Sequence, residues 1–247
     1  RDVAPSRGLG DVYKRQAEWN KMLQTVPQIG KFRIIHQEKK RYTFEDYSSQ
    51  IGNADAALGI WVHKGVINEK LFEAHPNLKY IATLGHGFED FDVEMTRRRG
   101  LTITNTIYGD VTIAQYAMAL LMNICHNVTV QSDYTKTGYW KEKETNPQAS
   151  YNQLFVPQIE LYQKTMGIII DEEALLEALE SRKVYMAGLD VVANEPPQYQ
   201  IPLMQSPYTF ITSHIAWQPK AARLRAVDLA VKNFRSYLEG MPTSVIN

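Results

Sequence analysis

The chain has 247 residues, enough for one large domain or two modest ones, each with its own hydrophobic core. Its 27 basic and 27 acidic residues give a formal net charge of zero, which argues against partners that need a strongly basic face, such as nucleic acid or an anionic membrane. The single cysteine, Cys125, excludes a disulfide framework, and no apolar run reaches the roughly 20 residues of a membrane-spanning helix. We therefore expect a cytoplasmic protein.

The first sixteen residues, RDVAPSRGLGDVYKRQ, show neither helix nor strand periodicity. Their four basic residues would suit a basic arm or a disordered tail. The ending DVYKRQ, however, resembles translated adapter sequence at the edge of a metagenomic open reading frame. We therefore treat residues 1–16 as a non-native or disordered tail.

From residue 17 onward, short apolar runs alternate with amphipathic segments. The predicted strands of the first half are 31–36, 56–62, 78–84 and 101–106. The predicted helices are 43–54, with Thr43 as N-cap, 66–75, and 90–100, which Gly100 closes. Continuous apolar strands that alternate with helices indicate an α/β fold with a parallel sheet and crossover helices.

The second half opens with a predicted helix at 110–128 that is apolar almost all round, which favours a place at a domain or subunit interface. Residues 133–163 are polar, aromatic and irregular, and they are long enough for an arm or lid. The remaining predicted elements are a strand at 165–170, a helix at 171–182, strands at 185–192 and 208–213, and a helix at 219–239.

A glycine turn, GHGFED at 85–90, follows the predicted strand 78–84. It offers the G-x-G of a dinucleotide loop, but Asp90 stands where the third glycine belongs and would repel a pyrophosphate. Its backbone amides could instead hold a small anion such as a substrate carboxylate, or the segment could be an ordinary tight turn.

Glu195 and His214 each follow a predicted strand, so both could lie at the carboxyl edge of one sheet. A carboxylate beside an imidazole favours the protonated ring, which suits a general acid. The positions of the two residues at strand ends, taken alone, favour the alternative to a catalytic pair: a solvated glutamate and a structural histidine. No histidine has metal-ligand spacing, and we expect no metal site.

Several segments, in order, resemble the D-2-hydroxyacid dehydrogenases, and within them the glycerate dehydrogenase (hydroxypyruvate reductase) group. The resemblance runs from about residue 50 to the C-terminus, and GLDVVANEPP and SHIAW are its most specific parts. The segments that carry it are LKYIATLGHGFEDFDVEMTRRRGLTITNT, VTIAQYAMALL, DEEALLEALESRKVYMAGLDVVANEPP and ITSHIAWQP.

The resemblance implies a flavodoxin-like, parallel-sheet substrate domain built from both chain ends and a Rossmann-type cofactor domain inserted between them. Residues 17–106 and 214–247 would form the former, and 107–213 a remnant of the latter. Family members are homodimers that reduce a small 2-keto acid with NADH or NADPH. Helix 110–128 and the GYW arm at 138–140 would lie at the dimer interface and hinge.

The resemblance also implies roles for individual residues. His214 would be the proton donor and Glu195 its carboxylate partner. Asp190 would lie near the nicotinamide as a cofactor-binding residue. The substrate carboxylate would be held by the turn of Leu84, Gly85, His86 and Gly87.

One part of the family pattern is absent from this sequence. Residues 160–169 resemble the segment before the G-x-G-x-x-G loop, whereas 169–179 resemble a segment that follows the later strand carrying the catalytic arginine. The phosphate loop, the acidic residue for the ribose, the strands between and that arginine are missing, at least about 60 residues. We therefore expect a truncated cofactor domain and an inactive chain.

Two explanations stay open. In one, the gene encodes a complete dehydrogenase, and the codons that belong between those for Gly167 and Asp171 are missing from this sequence. In the other, the chain is a non-enzymatic remnant that binds a small acid or pairs with a full-length relative through helix 110–128. The retention of Glu195 and His214 favours the first, because a mere dimerisation partner has no need of them.

Overall fold

A computed structural model of the chain describes residues 16–35, 42–60, 62–88, 91–139, 156–167, 171–195, 197 and 201–247. The chain divides into two compact units: one combines the residues up to Val111 with Trp217–Asn247, and the other is Thr112–Ala216. The domain limits expected from the sequence stay a prediction. The assignment of the second unit as a cofactor-domain remnant stays a prediction.

The helices, in chain order, are α1 (Gln16–Leu23), α2 (Phe44–Ile51), α3 (Glu69–Ala74), α4 (Val93–Arg98), α5 (Asp110–His126), α6 (Val128–Tyr134), α7 (Glu172–Glu180), α8 (Pro202–Gln205) and α9 (Lys220–Leu238), with a π-helical turn at Thr135–Tyr139. The strands are β1 (Ala56–Leu58), β2 (Tyr80–Ala82), β3 (Thr102–Thr104), β4 (Ala187–Leu189) and β5 (Thr209–Ile211). No described helix has the length and apolar character needed to cross a membrane.

The first unit is built on the parallel sheet β1-β2-β3, in which Ala57, Ile81 and Ile103 are aligned. Its central strand β2 is fully buried because successive side chains point to opposite faces, and both faces are covered. Ile81 packs into a cluster with side chains of α2, α3 and α4. Tyr80 and Ala82 pack against α1 and α9. The parallel sheets confirm the predicted α/β class.

Local signals in the sequence account for several helix ends. Thr43 caps α2, and its side chain and that of Asp46 form a reciprocal capping box. The Asp92 carboxylate accepts the Met95 N–H at the start of α4, and the chain leaves that helix through Gly100 at φ +69°. The predicted helices at 43–54, 66–75, 90–100, 110–128, 171–182 and 219–239 are all confirmed, with shorter limits in the structure.

The predicted strand at 31–36 is wrong within its described residues, because 31–35 form no strand. Arg33 of this segment donates to the carbonyls of Gln50 and Ile51 at the end of α2, where unpaired carbonyls favour a cation. Phe32 and Ile35 are exposed, so the apolar run does not pair with β1 as an additional strand. His36 lies outside the described residues.

The predicted strand at 165–170 and the predicted arm at 133–163 are only partly described by the structure. Of the predicted strand 165–170, residues 165–167 are irregular and 168–170 lie outside the described part. The segment predicted as an irregular arm begins instead as the end of α6 and the π-helical turn, while 140–155 are not described. Helices α1 and α8 were not predicted.

The C-terminal residues cover the outer edge of β3. Val245 forms an antiparallel bridge with Thr104, and the Ile246 N–H donates to the Ile103 carbonyl at 3.0 Å. The Asn247 side-chain oxygen accepts the Ile103 N–H at 2.9 Å. An uncovered edge strand invites pairing with another chain, so this segment protects the sheet.

The second unit contains the parallel pair β4–β5, with Leu189 aligned to Ile211. Helices α7 and α8 pack on it through Leu175, Leu179 and Leu203. A Cβ at Gly188 of β4 would lie 2.9 Å from Ile124 Cδ1 and 3.1 Å from Leu120 Cβ, so α5 packs closely over this glycine.

We expect Tyr80 and Thr104 to be energetically coupled. Their hydroxyls share a 2.7 Å hydrogen bond between fully buried side chains, and burial also raises the pKa of Tyr80. Tyr80→Phe or Thr104→Val alone should lower the free energy of unfolding by about 1–2 kcal/mol, because each substitution leaves the other hydroxyl buried without this hydrogen bond. The double variant should lose less than the sum, as measured by urea denaturation. Strictly additive losses would contradict the coupling.

Candidate functional site

Glu195 and His214 follow β4 and β5 respectively, at the carboxyl edge of the two-stranded sheet. His214 Nδ1 lies 2.6 Å from Glu195 Oε2, and Glu195 Oε1 accepts the Val192 N–H at 2.9 Å. Both carboxylate oxygens are therefore engaged, and their geometry holds the ring in one orientation. The His214 side chain is 54% exposed, so the imidazole is accessible while it is held.

Asp190 is the first residue after β4 and contacts the segment that carries His214. Its Oδ1 accepts the Thr212 hydroxyl at 2.6 Å and the Ile215 N–H at 3.0 Å. Its Oδ2 accepts the Ala216 N–H at 2.9 Å, and its backbone carbonyl accepts the His214 N–H at 2.8 Å. These contacts bring Asp190, Glu195 and His214 together in one unit.

His214 itself has a left-handed backbone, with φ at +55°. An L-residue in this region pays roughly 1–2 kcal/mol, because its Cβ approaches the neighbouring carbonyl. Histidine tolerates the region better than most side chains do. Such strain persists where surrounding contacts determine the backbone, and it is frequent at functional sites.

The turn from Leu84 to Gly87 lies in the other unit, at the end of β2. The Gly85 carbonyl accepts the Thr106 N–H at 3.1 Å, and the His86 carbonyl accepts the Asn105 side-chain amide at 2.6 Å. Leu84 packs into the core beside α9, whereas His86 and Gly87 are exposed. Among the described residues the structure shows no partner for the His86 and Gly87 amides. Asp90 lies outside the described part.

Hydrogen bonds of two buried asparagines, Asn105 and Asn233, hold this turn in place. The Asn105 carbonyl accepts the Asn233 side-chain amide at 2.8 Å, and the Thr243 hydroxyl donates to Asn233 Oδ1 at 3.1 Å. Asn233 is buried in α9, so the turn is tied to the longest helix of its unit. Sequence reasoning missed Asn105 and Asn233, which carry no local signal of this long-range contact.

The N-terminus of α7 does not fit the pyrophosphate of a nicotinamide nucleotide. Helix α7, which follows the junction at Gly167, begins with Asp171, Glu172 and Glu173. The Asp171 carboxylate accepts the Ala174 N–H at 2.8 Å, and Glu172 accepts the Ala193 N–H. Carboxylates therefore lie at this helix N-terminus and would repel a pyrophosphate, so α7 cannot take the place of a phosphate loop. The contact of Glu172 with the loop before Glu195 was also not predicted.

No group of three or more His, Cys, Asp or Glu in the described part of the chain could hold a metal ion. Cys125 is a buried free thiol within the α5 packing.

The profile of the D-isomer specific 2-hydroxyacid dehydrogenase catalytic domain matches residues 15–247. This chain belongs to that family. The resemblance found in the sequence segments is confirmed. Members of the family are oxidoreductases that act on the CH–OH group of their donors.

Two relatives carry the names of the group that the sequence segments resemble, hydroxypyruvate reductase and glycerate dehydrogenase. A hydroxypyruvate reductase of Blautia hydrogenotrophica is 26% identical over 302 aligned positions, which take in 87% of this chain and 91% of the relative. A glycerate dehydrogenase of Methylorubrum extorquens is 38% identical over 82 residues, 32% of this chain and 26% of the relative.

Two solved structures share the fold of this chain. The NADPH-dependent glyoxylate/hydroxypyruvate reductase of Sinorhizobium meliloti, in complex with citrate, aligns with a TM-score of 0.65 and 17% identity over 92% of this chain and 93% of its own. An acyclic imino acid reductase in complex with NADPH and D-Arg aligns with a TM-score of 0.65 and 16% identity, covering 94% and 95%.

The alignment with the Blautia relative contains internal gaps. It runs over 302 positions, yet it takes in 87% of this 247-residue chain, which is about 215 residues. About 87 positions of the alignment therefore have no residue in this dehydrogenase chain. This supports the internal loss inferred from the sequence. Its place, between Gly167 and Asp171, stays a prediction.

We expect glycine to be better tolerated than alanine at position 214. Both substitutions remove the Glu195 contact, but only alanine keeps a Cβ at φ +55°. His214→Gly should therefore be more stable than His214→Ala by about 1 kcal/mol in chemical denaturation. Ser213, which is not among the positive-φ residues, provides the control: there the glycine variant should be the less stable. Equal stabilities at 214 would argue against the strained backbone.

Proposed function

We propose that the protein derives from an NAD(P)H-dependent reductase of a small 2-keto acid, such as glyoxylate or hydroxypyruvate, and retains its acid-binding and proton-donating parts. The observation that carries this proposal is the 2.6 Å contact between His214 Nδ1 and Glu195 Oε2 at the edge of a parallel sheet. Membership of the family and the names of the relatives, which include hydroxypyruvate and glyoxylate reductases, support the substrate class.

His214 would supply the proton that the reaction requires. Reduction of a 2-keto acid places one proton on the carbonyl oxygen, and an imidazolium can donate it. Because Nδ1 is engaged by Glu195, the donation would come from Nε2. Glu195 stabilises the positive charge before donation and keeps the ring orientation through its second contact with the Val192 N–H.

The turn from Leu84 to Gly87 would bind the carboxylate of a small acid. The exposed amides of His86 and Gly87 can donate to a carboxylate, and the carbonyls beside them are held in place by Asn105 and Thr106. Fixed amides bind an anion without further ordering of the chain, which favours affinity.

The chain as it stands would not complete the reaction. A nicotinamide nucleotide would supply the reducing equivalent, but the described residues around α7 oppose its pyrophosphate. The bidentate contact that a catalytic arginine makes with a keto acid is also missing. Asp190, which the family resemblance assigns to the nicotinamide, has its carboxylate engaged within its own unit.

We expect the purified chain to show no saturable binding of NADH in the micromolar range and no glyoxylate-dependent oxidation of NADH. Calorimetry and absorbance at the nicotinamide band measure the two. The matched control is a chain in which the missing family segment is restored between Gly167 and Asp171, which should regain both. Saturable micromolar NADH binding by the unrestored chain would contradict the proposal.

A long single-molecule read of the source DNA across the codons for Gly167 to Asp171 separates the two origins of this chain. Additional in-frame codons that encode a glycine-rich loop, and an arginine before a glycine pair, would make it a complete dehydrogenase. A true junction would make it a cofactor-less derivative that binds a small acid.

We further propose that the protein is a cytoplasmic homodimer that associates through α5. Val111, Ile113, Met118 and Met122 of this helix are exposed apolar side chains, which supports an interface. Buried, unpaired Cys125 suits a reducing compartment.

Charges placed on this face should separate the protomers. Ile113→Glu combined with Met118→Glu should convert a dimer into a monomer at about 10 µM in sedimentation velocity, because two carboxylates would lose water in the interface. Asn77→Glu, an exposed position outside α5, adds the same type of charge and should leave the dimer intact. A monomeric parent chain, or a dimer that resists both substitutions, would contradict this interface.

A further inference from the structure

We propose that Asp190 is a positioning residue that clamps the backbone of residues 212–216 and so presents the His214 imidazole to Glu195. The inference rests on the proposed role of His214 as proton donor. It assigns to Asp190 a task that requires no nucleotide, and the task can therefore be tested on the chain as it exists.

The contacts of Asp190 lie on both sides of His214. Thr212, two residues before the histidine, donates its hydroxyl to Oδ1. Ile215 and Ala216, which follow it, donate their backbone N–H groups to Oδ1 and Oδ2. The His214 N–H itself donates to the backbone carbonyl of Asp190 at 2.8 Å. One residue therefore fixes four groups within a five-residue segment.

The clamp is anchored to the sheet. Asp190 directly follows β4 and Thr212 directly follows β5, and the Thr212 N–H continues the ladder by donating to the Leu189 carbonyl at 2.9 Å. The carboxylate therefore has little freedom to follow the segment if it moves. Hydrogen bonds to an ionised acceptor are also stronger than neutral ones, which suits a fixed support.

The left-handed backbone of His214 explains why a clamp is required. At φ +55° the residue would relax towards an ordinary conformation if its neighbours allowed it. Relaxation would redirect the Cα–Cβ bond and remove Nδ1 from the 2.6 Å contact with Glu195. The contacts at 212, 215 and 216 oppose that change, so the orientation of the imidazole depends on Asp190.

The test combines amide exchange with imidazole spectroscopy on the full chain. In Asp190→Asn one carboxylate oxygen becomes an NH₂ group, which cannot accept from a backbone amide. We expect the amide that loses its acceptor, Ile215 or Ala216, to exchange with deuterium about tenfold faster, as the loss of one such hydrogen bond implies. We also expect loss of the downfield Nδ1–H proton signal of His214, identified by its absence in His214→Asn.

Two further variants make the result specific. Asp228→Asn removes an exposed carboxylate that pairs with Lys232 on α9, and it should change neither readout. Thr212→Val removes only the hydroxyl contact, so it should give a smaller increase in exchange at Ile215. If Asp190→Asn fails to fold, Thr212→Val decides the matter, and unchanged exchange in it would overturn the clamp.

The outcomes separate the clamp from the proposed function. Glu195→Gln should remove or shift the Nδ1–H signal while the Ile215 and Ala216 amides stay protected. If the signal does not depend on Glu195, the proposed proton-donating pair fails, whatever happens at Asp190. If Asp190→Asn leaves both the exchange rates and the signal unchanged, the clamp is wrong while the pair stands.

Discussion

The parallel pairing of β4 with β5 is the constraint on which the candidate site depends. Its register aligns Leu189 with Ile211, so the next residues of the two strands, Asp190 and Thr212, meet side by side and form a hydrogen bond. The candidate site residues of this unit, Asp190, Glu195 and His214, lie within a few residues of that point. A shift of one residue would turn the side chains of either strand to the opposite face and would separate Asp190 from the histidine segment.

The two halves of the family's chemistry have different requirements for the fold. The proposed proton donation needs a carboxylate and an imidazole on two adjacent strand ends, which β4 and β5 provide. Nucleotide binding needs a glycine-rich corner with unpaired amides, and the described residues contain no such corner after a strand of the second unit. At the junction the chain instead presents a helix whose N-terminus is already capped by its own carboxylates. The contact between Glu195 and His214 therefore does not depend on a nucleotide-binding corner.

Sequence reasoning recovered the features that depend on local chemistry. The Thr43 cap, the alternation of strands and helices, and the positions of Glu195 and His214 after strands all rest on patterns of a few residues. The error at 31–36 arose because an apolar run does not reveal whether a neighbouring strand is available to pair with it. The Asp190 contacts and the φ of His214 could not be predicted, since both depend on two strands separated by about twenty residues. Spacing alone favoured a structural histidine, and only the family resemblance argued otherwise.

The energetics of His214 also bear on the origin of the chain. A left-handed backbone at a histidine is less stable than at a glycine, and an exposed imidazole–carboxylate contact adds little to the free energy of unfolding. A remnant that served only as a dimerisation partner would gain stability from glycine at this position. The strained backbone is better explained by the proposed role of the imidazole as a proton donor than by a purely structural role. This argues against a remnant that serves only for dimerisation, whereas the internal gaps of about 87 positions against the Blautia relative are expected of both origins.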